Sequence, residues 1–274
     1  MKTELLGEVI TWQLCSKEVK HTDVRQALIA AGLDPDVSKD LTKQSAFTRA
    51  IRNMKEERSI DQVKQKADSV VFQLTSKELV GTQYEFQYEC QVILDLATGV
   101  ITSESSHVEQ VARDMFNHAM DHRSTSDITR LVQRMFEAAA DLFPLRKAGS
   151  VYFCPVQHRE FTEKVEKFLV RLGGSMGRFP VPAGTVQGDK SVKEAVSSGL
   201  QQMFMELDAS VADWSDETRD STFERGVEKW KALKFKVECY AEFLGDAQRK
   251  ALDQIEASRT LLFEKIDGRN AAAS

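Results

Sequence analysis

Apolar residues recur along this chain with two different periods, and the switches between them divide it into regions. Over residues 3 to 16, Leu5, Leu6, Val9, Ile10, Trp12 and Leu14 fit both a helical and an alternating template, and the helical reading is preferred. From His21, the spacing of Val24, Ala27, Leu28 and Ala31 predicts a short amphipathic helix that ends at Gly32, a residue suited to the left-handed position past a helix terminus. Asp34-Pro35-Asp36 turns the chain into a second helix over about 43–57, where Phe47, Ala50, Ile51 and Met54 share one face. Helix, turn and helix at this spacing predict a helix-turn-helix-like unit.

After Arg58 the period becomes two. Ile60 and Val63, then Val70, Phe72 and Leu74, then Tyr84, Phe86, Tyr88, Cys90, Val92 and Leu94 alternate with polar residues. Turns at Lys66-Ala67-Asp68 and Val80-Gly81-Thr82 make these antiparallel strands, with a last strand longer than the wing of a winged helix needs. Ser106 to Glu109 forms a capping box, so a helix begins there with Val108, Val111, Ala112, Met115 and Ala119 as its stripe. Arg123-Ser124-Thr125-Ser126 breaks it before Ile128, Leu131, Val132, Met135, Phe136, Ala139 and Phe143 form a second stripe, and the two helices are expected to pair antiparallel. Val151–Cys154 reads as a strand, Pro155 opens a helix that lasts to Gly173-Gly174, Phe179–Val181 reads as a strand, and a further helix spans Ser191 to about Leu207.

The C-terminal part is patterned differently. Phe223, Trp230, Val237 and Leu244 repeat every seven residues, interleaved with Gly226, Leu233, Tyr240 and Ala247, as in a coiled-coil seam. Gly245 can end this helix, and a second one, over about 247–267 with Ala251, Ile255, Leu262 and Ile266, folds back on it or continues it. The expected fold is therefore α+β and mostly helical. It comprises an N-terminal helix-turn-helix-like region with β-hairpins (1–105), an α+β middle (106–212), a C-terminal long helical hairpin or coiled-coil arm (213–267) and a disordered tail (268–274).

Composition narrows the class. With 42% hydrophobic and 29% charged residues, five prolines and fourteen glycines, the chain has the make-up of a soluble globular protein with a helical bias. A formal net charge of -5 argues against coating nucleic acid with the whole surface. The start of the chain lacks a basic region followed by an apolar run, and no stretch reaches the roughly 20 apolar residues of a membrane span, so a cytoplasmic protein without a membrane role is expected. Cys15, Cys90, Cys154 and Cys239 lack paired zinc-site spacing and are read as reduced thiols.

Within this acidic chain, Lys39, Lys43, Arg49, Arg52, Lys55, Arg58, Lys64 and Lys66 outnumber Asp40, Glu56, Glu57 and Asp61. Arg49, Arg52 and Asn53 on the outer helix face, with Thr48 in the same contact surface, can hydrogen-bond base edges, and Lys39, Lys43 and Lys64 can neutralise phosphate, which makes this the candidate nucleic-acid surface. An ordinary solvated helix face explains the same residues. Residues 206 to 224 are acidic, suiting either a basic partner or the start of a helix. Asp114, His118 and His122 stand at helical spacing as candidate metal ligands, although Ala119 occupies the place where a zinc-protease motif carries its glutamate. Gly184 to Ser191 resembles a phosphate-cradling loop only loosely, because Asp189 precedes the lysine and the glycine spacing is one residue short. No serine sits in a Gly-x-Ser-x-Gly elbow, and Cys154-Pro155 with His158 is better read as a strand leading into a helix.

These residues favour a non-catalytic binding or assembly protein over an enzyme, with no cofactor. It would self-associate, as a homo-oligomer, or dock a protein partner through Phe223, Trp230, Leu233, Val237, Tyr240 and Leu244. The alternatives are a DNA-binding regulator using helix 43–57 and a metal-dependent enzyme.

Overall fold

A computed structural model describes residues 4–15, 18–55, 58–65, 68–80, 83–146, 150–215 and 217–272. The first half comprises β1 (Leu5–Gln13), β2 (Glu18–Lys20), α1 (His21–Ala30), α2 (Lys43–Asn53), β3 (Arg58–Gln65), β4 (Ser69–Val80), β5 (Gln83–Asp95), β6 (Ile101–Ser103), α3 (Ser106–Asp121) and β7 (His122–Ser124). The second comprises α4 (Thr125–Ala139), β8 (Phe143–Pro144), β9 (Val151–Pro155), α5 (Arg159–Arg171), β10 (Ser175–Pro182), α6 (Val186–Ala212), α7 (Asp220–Cys239), α8 (Ala241–Leu244) and α9 (Gln248–Ala272). The fold is α+β and mostly helical, and among the described residues no helix is long and apolar enough to cross a membrane. The expected turns at 66–67 and 81–82 lie outside the described residues.

Two compact units interleave in sequence instead of following one another as consecutive blocks. The first unit takes Met1–Gln13, Phe136–Glu166 and Ser175–Ser274, and the second takes Leu14–Met135 and Lys167–Gly174.

In the first unit an antiparallel sheet runs in the order β10-β1-β9-β8. β1 is where helix was expected and strand is found. Its ambiguous pattern resolves by period two, because Glu8, Ile10 and Trp12 are buried on one face while β10 and β9 satisfy its backbone on both sides. Buried Glu8 is tolerated because Arg178 grips it in a fork, Nε and Nη2 donating to Oε2 and Oε1 at 2.7 and 2.9 Å. At Gly7 the strands approach closely, and a Cβ there would stand 2.3 Å from the Cys154 carbonyl oxygen and 2.7 Å from the Phe153 ring. Gly7→Ala is expected to cost about 1–3 kcal/mol through overpacking, seen as a lower urea midpoint with an unchanged slope.

Helices α6, α7 and α9 pack on one another in the same unit, and α6 also meets β8. α6 begins at Val186, five residues before the expected start, so the Gly184–Ser191 segment is largely the first turns of a helix. Phe223, Leu233, Val237, Tyr240 and Leu244 are all buried in a core that also holds Phe204, Leu207, Ile255 and Leu262 from α6 and α9. α9 continues through residues 268–272, where a disordered tail was expected.

One polar cluster lies inside this helical layer. Asp141, 8% exposed, accepts a hydrogen bond from the Tyr240 hydroxyl at 2.5 Å, faces the Lys236 ammonium and stands 3.4 Å from His158 Nε2. The Tyr240 oxygen in turn takes Gln157 Nε2 at 3.1 Å. Burial pushes the Asp141 pKa up, but hydrogen bonding from His158, Lys236 and Tyr240 outweighs it and holds the carboxyl well below the usual carboxylate range. Burial and the same hydrogen bond push the Tyr240 phenol far above its ordinary value.

In the second unit the antiparallel meander β3-β4-β5-β6 carries α2 and α3 on one face. Ala46, Phe47, Ala50 and Ile51 of α2 and Val108, Ala112 and Phe116 of α3 meet Val70, Phe72 and Leu74 of β4 and Cys90, Val92 and Leu94 of β5. α1, α2 and their turn follow in the expected order, but α2 packs chiefly on α3, while α1 packs on β2 and the 3-10 turn Pro35–Val37. α3 likewise takes α2 as its main neighbour and not the following helix α4. Its cap is Ser105, one residue earlier than expected, whose hydroxyl accepts from Val108 N–H while Glu109 reaches back to Ser103 N–H.

Candidate binding sites

The long alternation from Tyr84 to Leu94 predicts one continuous apolar face, and the structure breaks it in two. Leu74 pairs with Cys90, but the next residue, Thr75, pairs with Tyr88, so Glu89 is an extra residue in β5. Because side chains alternate with period two, this single insertion moves Phe86 and Tyr88 from the core face to the opposite face. Arg58 holds the bulge by donating Nε and Nη2 to the two Glu89 carboxylate oxygens at 2.6 Å each. Leu79, Phe86 and Tyr88 therefore share an outward face and are 59%, 58% and 54% exposed. The Tyr88 hydroxyl donates to Glu104 at 2.5 Å, and that bond pushes the phenol pKa up to about 12.

The β4–β5 ribbon also outruns its neighbours. Among the described residues, β3 pairs with β4 no further than Ser76, and β6 pairs with β5 only at Val92–Leu94. Beyond those points, among the described residues, no strand pairs with the ribbon on either side.

A second feature is a cleft of about 540 Å³ in the same unit, where two sets of sequence candidates converge. Arg49 and Asn53 of α2, His118 of α3 and His122 of β7 line it, together with Asp127 and Arg130 of α4 and Glu18 of β2. The imidazoles of His118 and His122 stack at 4.0 Å with 7° between their planes, and His118 Nε2 stands 3.4 Å from Glu18. Arg49 donates from Nη1 and Nη2 to Asp127 at 2.7 and 2.8 Å, and Ser124 adds its N–H and hydroxyl to the same carboxylate. Burial raises the Asp127 pKa, yet these hydrogen bonds win and hold it below the ordinary value.

The basic helix is thus largely committed to its own fold. Lys43 donates to the Leu96 and Ala97 carbonyls at 3.1 and 2.7 Å, and Arg49 is forked to Asp127, which leaves Arg52 and Asn53 exposed and Thr48 half-buried. Lys64 lies in β3, its side chain outside the described residues. Of the metal candidates, Asp114 accepts from Gln110 on the exposed side of α3, and among the described residues no three His, Cys, Asp or Glu side chains converge as a metal site. The candidate association residues on α7 and α8 are covered within the chain. Trp230, half-buried, donates its indole N–H to the Ile255 carbonyl at 3.1 Å, and Tyr240 is engaged by Asp141. Acidic Glu206 accepts from Gln202, Asp220 sits in the first turn of α7, and Asp216 lies outside the described residues.

The outward ribbon escaped sequence reasoning because Glu89 carries no bulge signature, although the excess length of the last strand was a signal. No curated protein and no solved structure matches the chain. A family match does span nearly all of it, over residues 5–265, and the chain belongs to that family of unknown function, DUF6744.

Proposed function

We propose that this is a non-catalytic assembly protein that self-associates through the β4–β5 ribbon. The observation that carries the reading is the bulge at Glu89, which turns Phe86 and Tyr88 outward beside Leu79 on a ribbon whose edges, among the described residues, pair with no further strand. An exposed apolar strand edge is an aggregation hazard unless another strand covers it, and the apolar residues of this face stand beside only two charges among the described residues, Lys77 opposite Phe86 and Glu104 bonded to Tyr88. A second copy supplies the required element, because a ribbon that adds antiparallel to its own twin pairs the same backbone groups on both sides. The heptad seam is a weaker candidate for association, since α6 and α9 already cover it.

Sedimentation of the full chain tests this. Self-association in the micromolar range is expected, with at least a tenfold weaker association constant for Phe86→Lys and for Leu79→Lys at unchanged circular dichroism. A wild-type chain that stays monomeric at roughly 100 μM, or an oligomer that both substitutions leave intact, would sink the reading.

A further inference from the structure

We infer that the second copy joins through β5, antiparallel and with a two-fold axis at Phe86, so that the two ribbons close into a dimer; this rests on the ribbon being the site of self-association. The two edges of the ribbon differ in length. Among the described residues, β4 outruns β3 only from Lys77 to Val80, whereas β5 outruns β6 from Gln83 to Gln91. The last part of the longer edge is already used, because the Ser103 hydroxyl donates to the Gln91 carbonyl at 2.7 Å. A backbone partner therefore has residues 83–90 of β5 to pair with.

In a symmetric antiparallel pair, choosing the residue on the axis fixes every other pairing, and opposed side chains share a face. An axis at Tyr84 pairs only 83–85 before β5 ends. An axis at Glu85 sets that carboxylate against its own copy, in a row where Glu78 already stands opposite Glu85 within the ribbon. An axis at Gln87 sets Glu85 against Glu89 of the second copy and asks Gln83 to pair with Gln91, whose carbonyl is taken. An axis at Tyr88 runs further still into the edge that β6 covers. With the axis at Phe86 the paired stretch is 83–89, Glu85 meets Gln87, and Phe86 meets Phe86 of the second copy on the apolar face. Phe86, 58% exposed in the single chain, is then covered by an aromatic ring instead of water. This axis also stops growth. Both copies use the same edge, and the β4 edge that remains is short and carries Lys77, a charge of the kind that blunts an exposed strand.

Disulfide trapping tests the register on the full chain, with the exposed Cys15 and Cys239 replaced by serine. Glu85 and Gln87 are exposed and alternate with Phe86 and Tyr88, so cysteines there leave the apolar face in place. An equimolar mixture of Glu85→Cys and Gln87→Cys chains, treated with oxidised glutathione, is expected to form the mixed disulfide at least tenfold faster than either variant alone forms its own. Opposed Cα atoms stand about 5 Å apart, within disulfide reach, whereas two copies of either position stand diagonally at about 7–8 Å. Sedimentation is expected to show a dimer and no larger species. A self-associating chain in which one variant alone links faster than the mixture, or in which no disulfide is trapped, would overturn the register and leave assembly through the ribbon standing. Growth beyond two copies would overturn the closure. A chain that stays monomeric would overturn both the register and the reading it rests on.

Discussion

Asp141→Ala is expected to destabilise the first unit by about 3–5 kcal/mol, the typical cost of stranding one partner of a buried ion pair. Lys236 loses the carboxylate it faces, and the buried Tyr240 hydroxyl loses its acceptor, so two elements, α7 and the segment that carries Gln157 and His158, lose a shared anchor. The wild-type carboxyl titrates well below its unfolded value near 4. Its contribution is therefore complete above about pH 4 and declines as pH falls below that, disappearing only beneath the depressed folded pKa. The gap between wild type and Asp141→Asn is accordingly expected to be wide at neutral pH and narrower in strong acid. Trp12, Trp214 and Trp230 all belong to the first unit, so the tryptophan fluorescence of a urea titration reports on this unit alone. A loss under about 1 kcal/mol at neutral pH would mean that the cluster is dispensable.

Arg178→Ala is expected to cost nearly as much, about 3 kcal/mol. The guanidinium is the hub of three carboxylates, forked to Glu8, donating to Glu166 at 2.9 Å and lying 3.7 Å from Glu163. Burial alone would lower its pKa, but its bonds to Glu166 and Glu8 raise it, so the charged form is the one the fold selects. Without it, among the described residues, Glu8 keeps only the more exposed Arg159 at 3.8 Å, and the negative charges of β1 and α5 repel one another. Arg178→Lys retains the charge without the fork and is expected to fall between wild type and alanine in the same titration. Equal midpoints for the lysine and alanine variants would show that charge at this position contributes nothing.

Local periodicity made much of the molecule legible. α1, α2, the strands β4 and β5, α5 with its glycine stop, and the buried positions of α7 all follow from spacing within a single element. Where two periods fitted equally, as over Leu5 to Leu14, the outcome depended on β9 and β10, which lie more than a hundred residues away in sequence. The capping signal at Ser106 was one residue late because Ser105 and Ser106 are both good caps and only the packing of the following helix distinguishes them. Charge was the least legible property. Lys43, Arg49 and Arg58 read as a solvated basic face, yet each is bound to a carbonyl or carboxylate that the tertiary fold brings from 31 to 78 positions away.

What the sequence determined by itself is which side of each element is apolar, since that follows from residue spacing and backbone geometry alone. What covers that side was decided by the tertiary structure. The seam of α7 was bound to be buried, but whether by a partner or by α6 and α9 depended on non-local packing that no spacing encodes. The same holds for the ribbon: one bulged residue, Glu89, held by Arg58, reverses the faces of Phe86 and Tyr88, because strand register is a relation between two strands and not a property of either.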